Sequence, residues 1–253
     1  MRKYLSIVLL MAVAVFVFGC NEKGGKGHGA VHWGYSGEEG PEHWGDLSTD
    51  FVVCKTGKNQ TPIDITAMVE AELPPLVINY QANGGKEVLN NGHAIQVNYD
   101  PGSSIKVDGK DFELLQFHFH SPSENTINGK YFPMEAHFVH KDKDGNLAVL
   151  ALMYEEGAEN PELQKAWATM PTEAGSKSQP TATISAKALL PGNTDYYRFN
   201  GSLTTPPCSE GVRWLMLKAP SHASTQQIEA FKHVMHHNNN RPVQPTNARV
   251  ILK

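Results

Sequence analysis

The sequence predicts a single-domain, mainly β protein, and three features point there. Turn signals recur at short intervals along the chain, and the runs between them are short and rich in β-branched and aromatic residues. The 253 residues, 40% hydrophobic and 19% charged, suffice for one sizeable core. A net charge of -4 at pH 7, with no basic run beyond the N-terminus, gives no footprint for nucleic acid. The chain shows no internal repeat.

The first element is an address and not part of the fold. Arg2 and Lys3 precede an apolar run from Tyr4 to Phe18, and Gly19-Cys20 follows. The run is short against the roughly 20 residues of a membrane span. Cys20 stands where a bacterial lipoprotein signal is cut, so residues 1–19 are expected to be removed and Cys20 to carry lipid as a membrane anchor. Phe18 departs from that pattern, since a small residue is commoner there, and ordinary signal-peptidase cleavage is the alternative. Either route exports the protein, to the periplasm or to a bacterial membrane surface. Residues 20–30 are rich in Gly and Lys and read as a flexible tether, leaving residues 31–253 as the domain.

With Cys20 set aside, Cys54 and Cys208 remain as a pair, and an oxidising compartment would join them. Closing a loop of 154 residues (208 minus 54) stabilises by about 5 kcal/mol at most in the chain-entropy picture. Two buried free thiols are the alternative. No C-x-x-C spacing suggests zinc ligation by cysteine.

The strands and helices follow in order. Ser104–Val107 and Phe112–His120 flank "DGKD", a hairpin signal, and Leu147–Met153 follows the Asp144-Gly145 turn. Asn160 caps a helix with Pro161 at its first position and Leu163, Trp167 and Met170 on one face. Ser224 and Gln227 form a capping box ahead of Ile228 and Phe231. Both helices are expected at the periphery.

The stretch "QFHFHSPSE" (116–124) carries the chemistry. Strand alternation puts Gln116, His118 and His120 on one face and Phe117 and Phe119 on the other. In "PMEAHFVHKD" the same rule groups Glu135, His137 and Val139, while His140 has the opposite parity and reads as structural. His118, His120 and His137 are then candidate ligands of one Zn2+, with Gln116 and Glu135 placed to hold ring nitrogens from behind. Three neutral imidazoles leave the zinc charge uncompensated and one position open, which brings a bound water's pKa to about 7. H-x-H followed by Glu124 also matches the first cupin motif, with Glu124 as a ligand. The second cupin element is missing, since no glycine follows Pro133 and Lys141 stands where asparagine is needed.

"GSLTTPPCSEGVRWLML" (201–217) and "VLNNGHAIQV" (88–97), with "HWGY", "GPEHWGDL", "GKNQTPIDI" and "NNNRPVQP", resemble an α-class carbonic anhydrase over nearly the whole mature domain. The resemblance implies a central, mostly antiparallel twisted sheet of about ten strands with short helices around it. It implies zinc at His118, His120 and His137, with Gln116 and Glu135 behind them. It makes Glu124 a gatekeeper that accepts the hydroxyl proton of Thr204, so that Thr204 orients a zinc-bound hydroxide toward carbon dioxide, giving bicarbonate. His93 becomes the proton shuttle, as an imidazole with a pKa near 6.5, with Tyr35, Asn91, Gln96 and Thr205 ordering the water between. Val139, Val149, Leu203, Val212 and Trp214 become the apolar wall for the substrate. Alternation puts Gln96 opposite Asn91 and His93, so a bulge or bend is expected between them. Cys54 and Cys208 match the disulfide pair of bacterial members, which are often homodimers.

One departure stands out: Asn125 occupies the place of a histidine after Glu124, which predicts weakened support of Glu124 and reduced or altered turnover. A non-catalytic binding protein that keeps the fold is the rival reading, and a cupin-type metal oxygenase a more remote one. Retention of all three ligand histidines with Glu124, Thr204 and His93 favours the enzyme.

Overall fold

The computed structural model describes residues 31–253. The targeting segment (1–19), the tether (20–30) and the lipidation expected at Cys20 lie outside the described residues. In chain order the helices are α1 (Trp44–Leu47), α2 (Val53–Thr56), α3 (Pro161–Trp167), α4 (Ala186–Leu189) and α5 (Thr225–Met235). The strands are β1 (Asp64–Ile65), β2 (Val77–Asn79), β3 (Gly85–Asn90), β4 (Ile95–Tyr99), β5 (Ser104–Val107), β6 (Lys110–His120), β7 (Thr126–Ile127), β8 (Met134–Lys141), β9 (Leu147–Glu156), β10 (Lys177–Ser178), β11 (Tyr196–Ser202), β12 (Glu210–Leu217) and β13 (Ser221–Ala223).

Eleven strands make one sheet in the order β10-β3-β4-β6-β8-β9-β12-β11, with β5 beside β6, β2 beside β5 and β13 beside β9. The expectation of about ten, mostly antiparallel strands is met. Among the described residues, only β12 and β13 of this sheet run parallel to their neighbour, β9, and a separate, also parallel, pair joins β1 to β7.

The hairpin signal forms a tighter turn than expected. Asp108 and Gly109 alone make it, with φ of 53° and 75°, the double left-handed geometry of a two-residue hairpin. Strand β6 therefore starts at Lys110, opposite Val107, two residues earlier than the sequence suggested. Strand β9 runs three residues longer, to Glu156, because Tyr154, Glu155 and Glu156 gain β13 as a partner.

Residues facing opposite sides of the sheet form two apolar cores. Phe117, Phe119, Phe138 and Leu150 enter the larger one, which α3 and α5 cover. Val149, Ala151, Met153 and Trp214 enter the smaller one. In β6 the register slips between Leu114 and Gln116, so Phe112 and Leu114 join Phe117 and Phe119 in the larger core despite their opposite parity.

Both expected helix caps form. The Asn160 side chain accepts from the N–H groups of Glu162 and Leu163, and Ser224 and Gln227 cap each other reciprocally. The two helices meet where the Trp167 and Phe231 rings stack, 5.8 Å apart, and Trp167 Nε1 donates to the Gln227 carbonyl at 2.8 Å. Met170 lies past the end of α3 and still packs on the core.

Candidate metal centre

Strand register assembles the site. Across β4, β6, β8 and β9, Gln96 lies opposite His118, His118 opposite His137, and His137 opposite Ala151. One step along, His120 pairs with Glu135. The three imidazoles therefore converge from adjacent strands on one face, with ring centroids 5.0 Å (His118 to His120), 5.4 Å (His118 to His137) and 4.6 Å (His120 to His137) apart. One nitrogen from each falls within 4.8 Å of the others.

The groups behind the rings decide which nitrogen faces forward. Gln116 Oε1 lies 2.9 Å from His118 Nδ1, and the Asn239 carbonyl lies 2.7 Å from His120 Nδ1. Each contact fixes an Nδ1–H tautomer and leaves Nε2 as the free donor. His137 is reversed: its Nε2 lies 2.9 Å from Glu135 Oε1, near but off the line of a hydrogen bond, which leaves Nδ1. Burial and the neighbouring imidazoles hold His118 well below the usual histidine range. Burial, with His120 beside it, does the same for His137, and burial lowers His120 against the Asn239 carbonyl. All three are neutral at pH 7, as metal ligands must be.

A divalent metal fits this donor set. His120 Nε2 is buried with no hydrogen-bond partner, which is costly unless something else satisfies it. Glu124 is not part of the ligand group. Its Oε1 accepts from the Arg241 N–H at 2.8 Å, and its Oε2, without a hydrogen-bond partner, lies 3.5 Å from His120 Nε2 and 3.8 Å from His137 Nδ1. The cupin alternative needs a metal enclosed by a double-sheet jelly roll, and the single eleven-stranded sheet overturns it. Burial pushes the Glu124 carboxyl up to about 8, against the Arg241 N–H and a smaller lowering influence of the Thr204 hydroxyl.

Thr204 and Thr205 sit on the connection from β11 to β12. The turn closes through Leu203 N–H to the Ser209 carbonyl (3.0 Å) and Cys208 N–H to the Thr205 carbonyl (2.8 Å). Gly201 leads into it because a Cβ there would collide with Thr61 Oγ1 and come within 2.9 Å of Trp214 Cδ1. Cys208 at its end is bonded to Cys54, so the free-thiol alternative is excluded.

A cleft of about 160 Å³ opens in front of the histidines. Tyr35, Asn91, His93, Gln96, Gln116 and Thr205 line it together with His118 and His120. The parity conflict between Gln96 and Asn91/His93 disappears because residues 91–94 form the turn between β3 and β4, where strand alternation does not apply. Asn91 Oδ1 accepts from the His93 and Ala94 N–H groups at 2.9 and 2.7 Å. His93 differs from its expected state. Its ring lies flat on Trp33, centroids 3.7 Å apart and planes at 9°. Burial, then His32 and His237, lowers its pKa from 6.5 to about 4.

The residues expected to form the apolar wall gather in the smaller core, and none of them lines the cleft. Val139 faces Val149, and Val149 faces Trp214, in one row across β8, β9 and β12. Trp214 presents its ring edge-on to His137, 4.9 Å between centroids. Val212 is buried in the same core, with Leu203 packed against it.

Asn125 does not act on Glu124 through its side chain. It bonds Glu135, and its Oδ1 accepts from the Ile63 N–H at 2.9 Å. The sequence reading also assigned no role to Trp33, Asn239 or Arg241. The guanidinium of Arg241 is buried among the Gln60 side chain and the Thr61 and Cys54 carbonyls at 2.8 to 2.9 Å. These residues sit in the quoted "HWGY" and "NNNRPVQP" segments, but Asn239 and Arg241 touch His120 and Glu124 through backbone atoms, which no side-chain pattern encodes.

Residues 39–253 match the family model described as eukaryotic-type carbonic anhydrase. The chain is 49% identical over 252 residues to a carbonic anhydrase of Pectobacterium carotovorum, covering 100% of both. Among solved structures, the α-carbonic anhydrase of Thermovibrio ammonificans superposes with a TM-score of 0.87 at 56% identity, covering 89% of this chain and 100% of that one. The α-carbonic anhydrase of Photobacterium profundum gives 0.84 at 50% identity, covering 88% and 100%.

Proposed function

The chain belongs to the eukaryotic-type (α) carbonic anhydrase family, and from that premise we propose that it hydrates carbon dioxide reversibly at a zinc ion held by His118, His120 and His137, with His93 carrying the proton away. The observation that carries the metal assignment is the convergence of three neutral imidazoles, two hydrogen-bonded from behind and the third beside the Glu135 carboxylate. When bound, zinc supplies a Lewis acid that brings the pKa of a water at its open position to about 7.

The remaining work belongs to the chain. In its ionised form Glu124 accepts a hydrogen bond from the Thr204 hydroxyl, which leaves the Thr204 oxygen to accept one in turn and so aim the attacking group. Burial alone favours the protonated acid, and a cation held by the neighbouring histidines would favour the carboxylate. The wall of Val139, Val149, Leu203, Val212 and Trp214 receives a small apolar substrate at no polar desolvation cost. Tyr35, Asn91, Gln96 and Thr205 order water along the cleft toward His93, whose imidazole accepts the proton and releases it to solvent. Protonation of His93 is uphill at neutral pH in the stacked position, so its working position is one that leaves Trp33.

We also place this activity outside the cytoplasm. The Cys54–Cys208 bond supports export by residues 1–19, since such bonds persist in oxidising compartments.

The test is stopped-flow carbon dioxide hydration by purified residues 21–253, before and after chelation. A fast rate lost on chelation and restored by zinc is the expected result. No rate above buffer with zinc shown to be bound would leave a binding protein in this fold.

A further inference from the structure

Asn239 is fully buried and joins the two halves of the site. Its carbonyl accepts from His120 Nδ1 at 2.7 Å. Its side chain does something separate: Oδ1 accepts from the Ser121 N–H at 2.9 Å, and Nδ2 donates to the Phe119 carbonyl at 2.9 Å and the His93 carbonyl at 3.0 Å. Phe119 and Ser121 flank His120 in the chain, so a single amide group ties the backbone of a metal-ligand strand to the backbone of the His93 turn.

The sheet fixes the base of the turn, since Gln96 of β4 lies opposite His118, but among the described residues the turn itself is bonded to the metal strand through Asn239 alone. Gly92 takes φ of 86°, and the His93 and Ala94 N–H groups are satisfied by Asn91 within the turn itself. The His93 ring rests on Trp33, a residue of the N-terminal segment. Proton relay along ordered water depends steeply on the separation and orientation of donor and acceptor.

We propose that Asn239 is a positioning residue for the proton relay, its side-chain amide holding the His93 turn at a fixed distance from the metal strand while its carbonyl independently orients His120. This rests on the relay reading above. The two roles are separable, because Asn239→Ala removes the side-chain bonds and keeps the carbonyl.

Regenerating the base follows product release, so a relay defect lowers kcat and spares kcat/KM, whereas a damaged metal site lowers both. Asn239→Ala is expected to keep a full complement of zinc, hold kcat/KM within about 2-fold and lose about 10-fold in kcat. Added imidazole should restore kcat, and Asn239→Ala should cost nothing further in a His93→Ala background. In the metal-free protein the His93 and Ala94 amides should lose hydrogen-exchange protection. Asn239→Leu, uncharged and close in volume, loses the same side-chain bonds without leaving a large cavity and should behave alike if the alanine variant folds poorly.

Equal losses in kcat and kcat/KM with zinc loss would overturn the proposal in favour of a purely structural role. So would an unchanged kcat beside a slowed His93→Ala enzyme, or losses that add in the double variant. A His93→Ala enzyme with unchanged kcat would instead remove the relay reading, and the amide exchange alone would then decide whether the tether exists.

Discussion

Asn125 grips both carboxylate oxygens of Glu135, its backbone N–H donating to Oε2 at 2.9 Å and its side-chain Nδ2 to Oε1 at 2.8 Å. Glu135 in turn stands behind His137. The residue that breaks the family pattern is thus bonded to the carboxylate behind a metal ligand; the Glu124 N–H donates to the same Glu135 Oε2 at 2.8 Å, while the Glu124 carboxylate is anchored by the Arg241 N–H. Asn125 therefore reaches Glu124 through their shared acceptor, Glu135, and not by a side-chain bond of its own. Asn125→Ala would leave the Ile63 N–H without its acceptor and Glu135 Oε1 without its donor. Leaving such buried groups unpaired costs about 1–3 kcal/mol each. The expected outcome is a urea midpoint lowered to match and zinc affinity weakened by about 10-fold, read by chelator competition. Unchanged zinc affinity would show that Glu135 needs no support to hold His137.

The stacking of His93 on Trp33 makes a second prediction. Burial is the first cause of the low His93 pKa, ahead of repulsion from His32 and His237. Trp33→Ala removes one wall of that burial and leaves both histidines in place. The pKa should climb from about 4 toward the ordinary value near 6.5 without reaching it. An NMR titration of the ring protons measures this directly, and a pKa that stays near 4 would assign the shift to the neighbouring charges.

The metal face could be read from the sequence because the period of a strand is two and a one-residue slip would exchange core and site. Phe117 and Phe119 had to be buried, which put His118 and His120 together. The slip after Leu114 could not be read, because a bulge is set by pairing with β8, where Leu114 meets His140 and Gln116 meets Val139, far along the chain. For Asn91 and His93, alternation was the wrong rule, since the turn after β3 had already interrupted it. Asn239 escaped notice for a third reason: its carbonyl orients His120, and every residue carries a carbonyl. Its side chain looked like one polar residue in a polar run.

His140, on the core side of β8, is expected to contribute to the acid limit of stability. It is fully buried, with Nε2 2.6 Å from the Tyr80 hydroxyl and Nδ1 3.3 Å from the Ala148 carbonyl. Burial lowers its pKa to about 3, against the Ala148 and Phe138 backbone. The unfolded chain protonates this histidine near 6.5 and the native one only near 3, so the unfolded state binds more protons in between. The stability it contributes is present above pH 6.5 and is lost as pH falls toward 3, by an upper figure of about 5 kcal/mol. A paired His140→Leu and Tyr80→Phe variant removes both polar partners together. It should hold its stability at pH 8 within about 2 kcal/mol and show a flatter decline in urea midpoint between pH 6.5 and 4. An unchanged slope would assign acid lability to the histidines of the metal site.

The Cys54–Cys208 bond raises the question of whether it orders the Thr204 turn or stabilises the whole domain. Two observations favour the domain. The turn is closed by its own backbone bonds, Leu203 to Ser209 and Cys208 to Thr205, and the Cys208 carbonyl is held separately by Gln60 Nε2 at 3.0 Å. On the other side, the Cys54 carbonyl accepts from the Arg241 guanidinium at 2.9 Å. The local geometry therefore has support that does not pass through sulfur, while the bridge spans 154 residues of sequence. Such a bridge restricts the unfolded chain by up to about 5 kcal/mol. A variant with both cysteines changed to alanine should lose several kcal/mol in equilibrium unfolding, yet keep kcat/KM per folded molecule within about 3-fold at 25 °C. The opposite result, a collapse of kcat/KM with little change in stability, would show that the bridge acts locally, by holding Thr204 against the metal site.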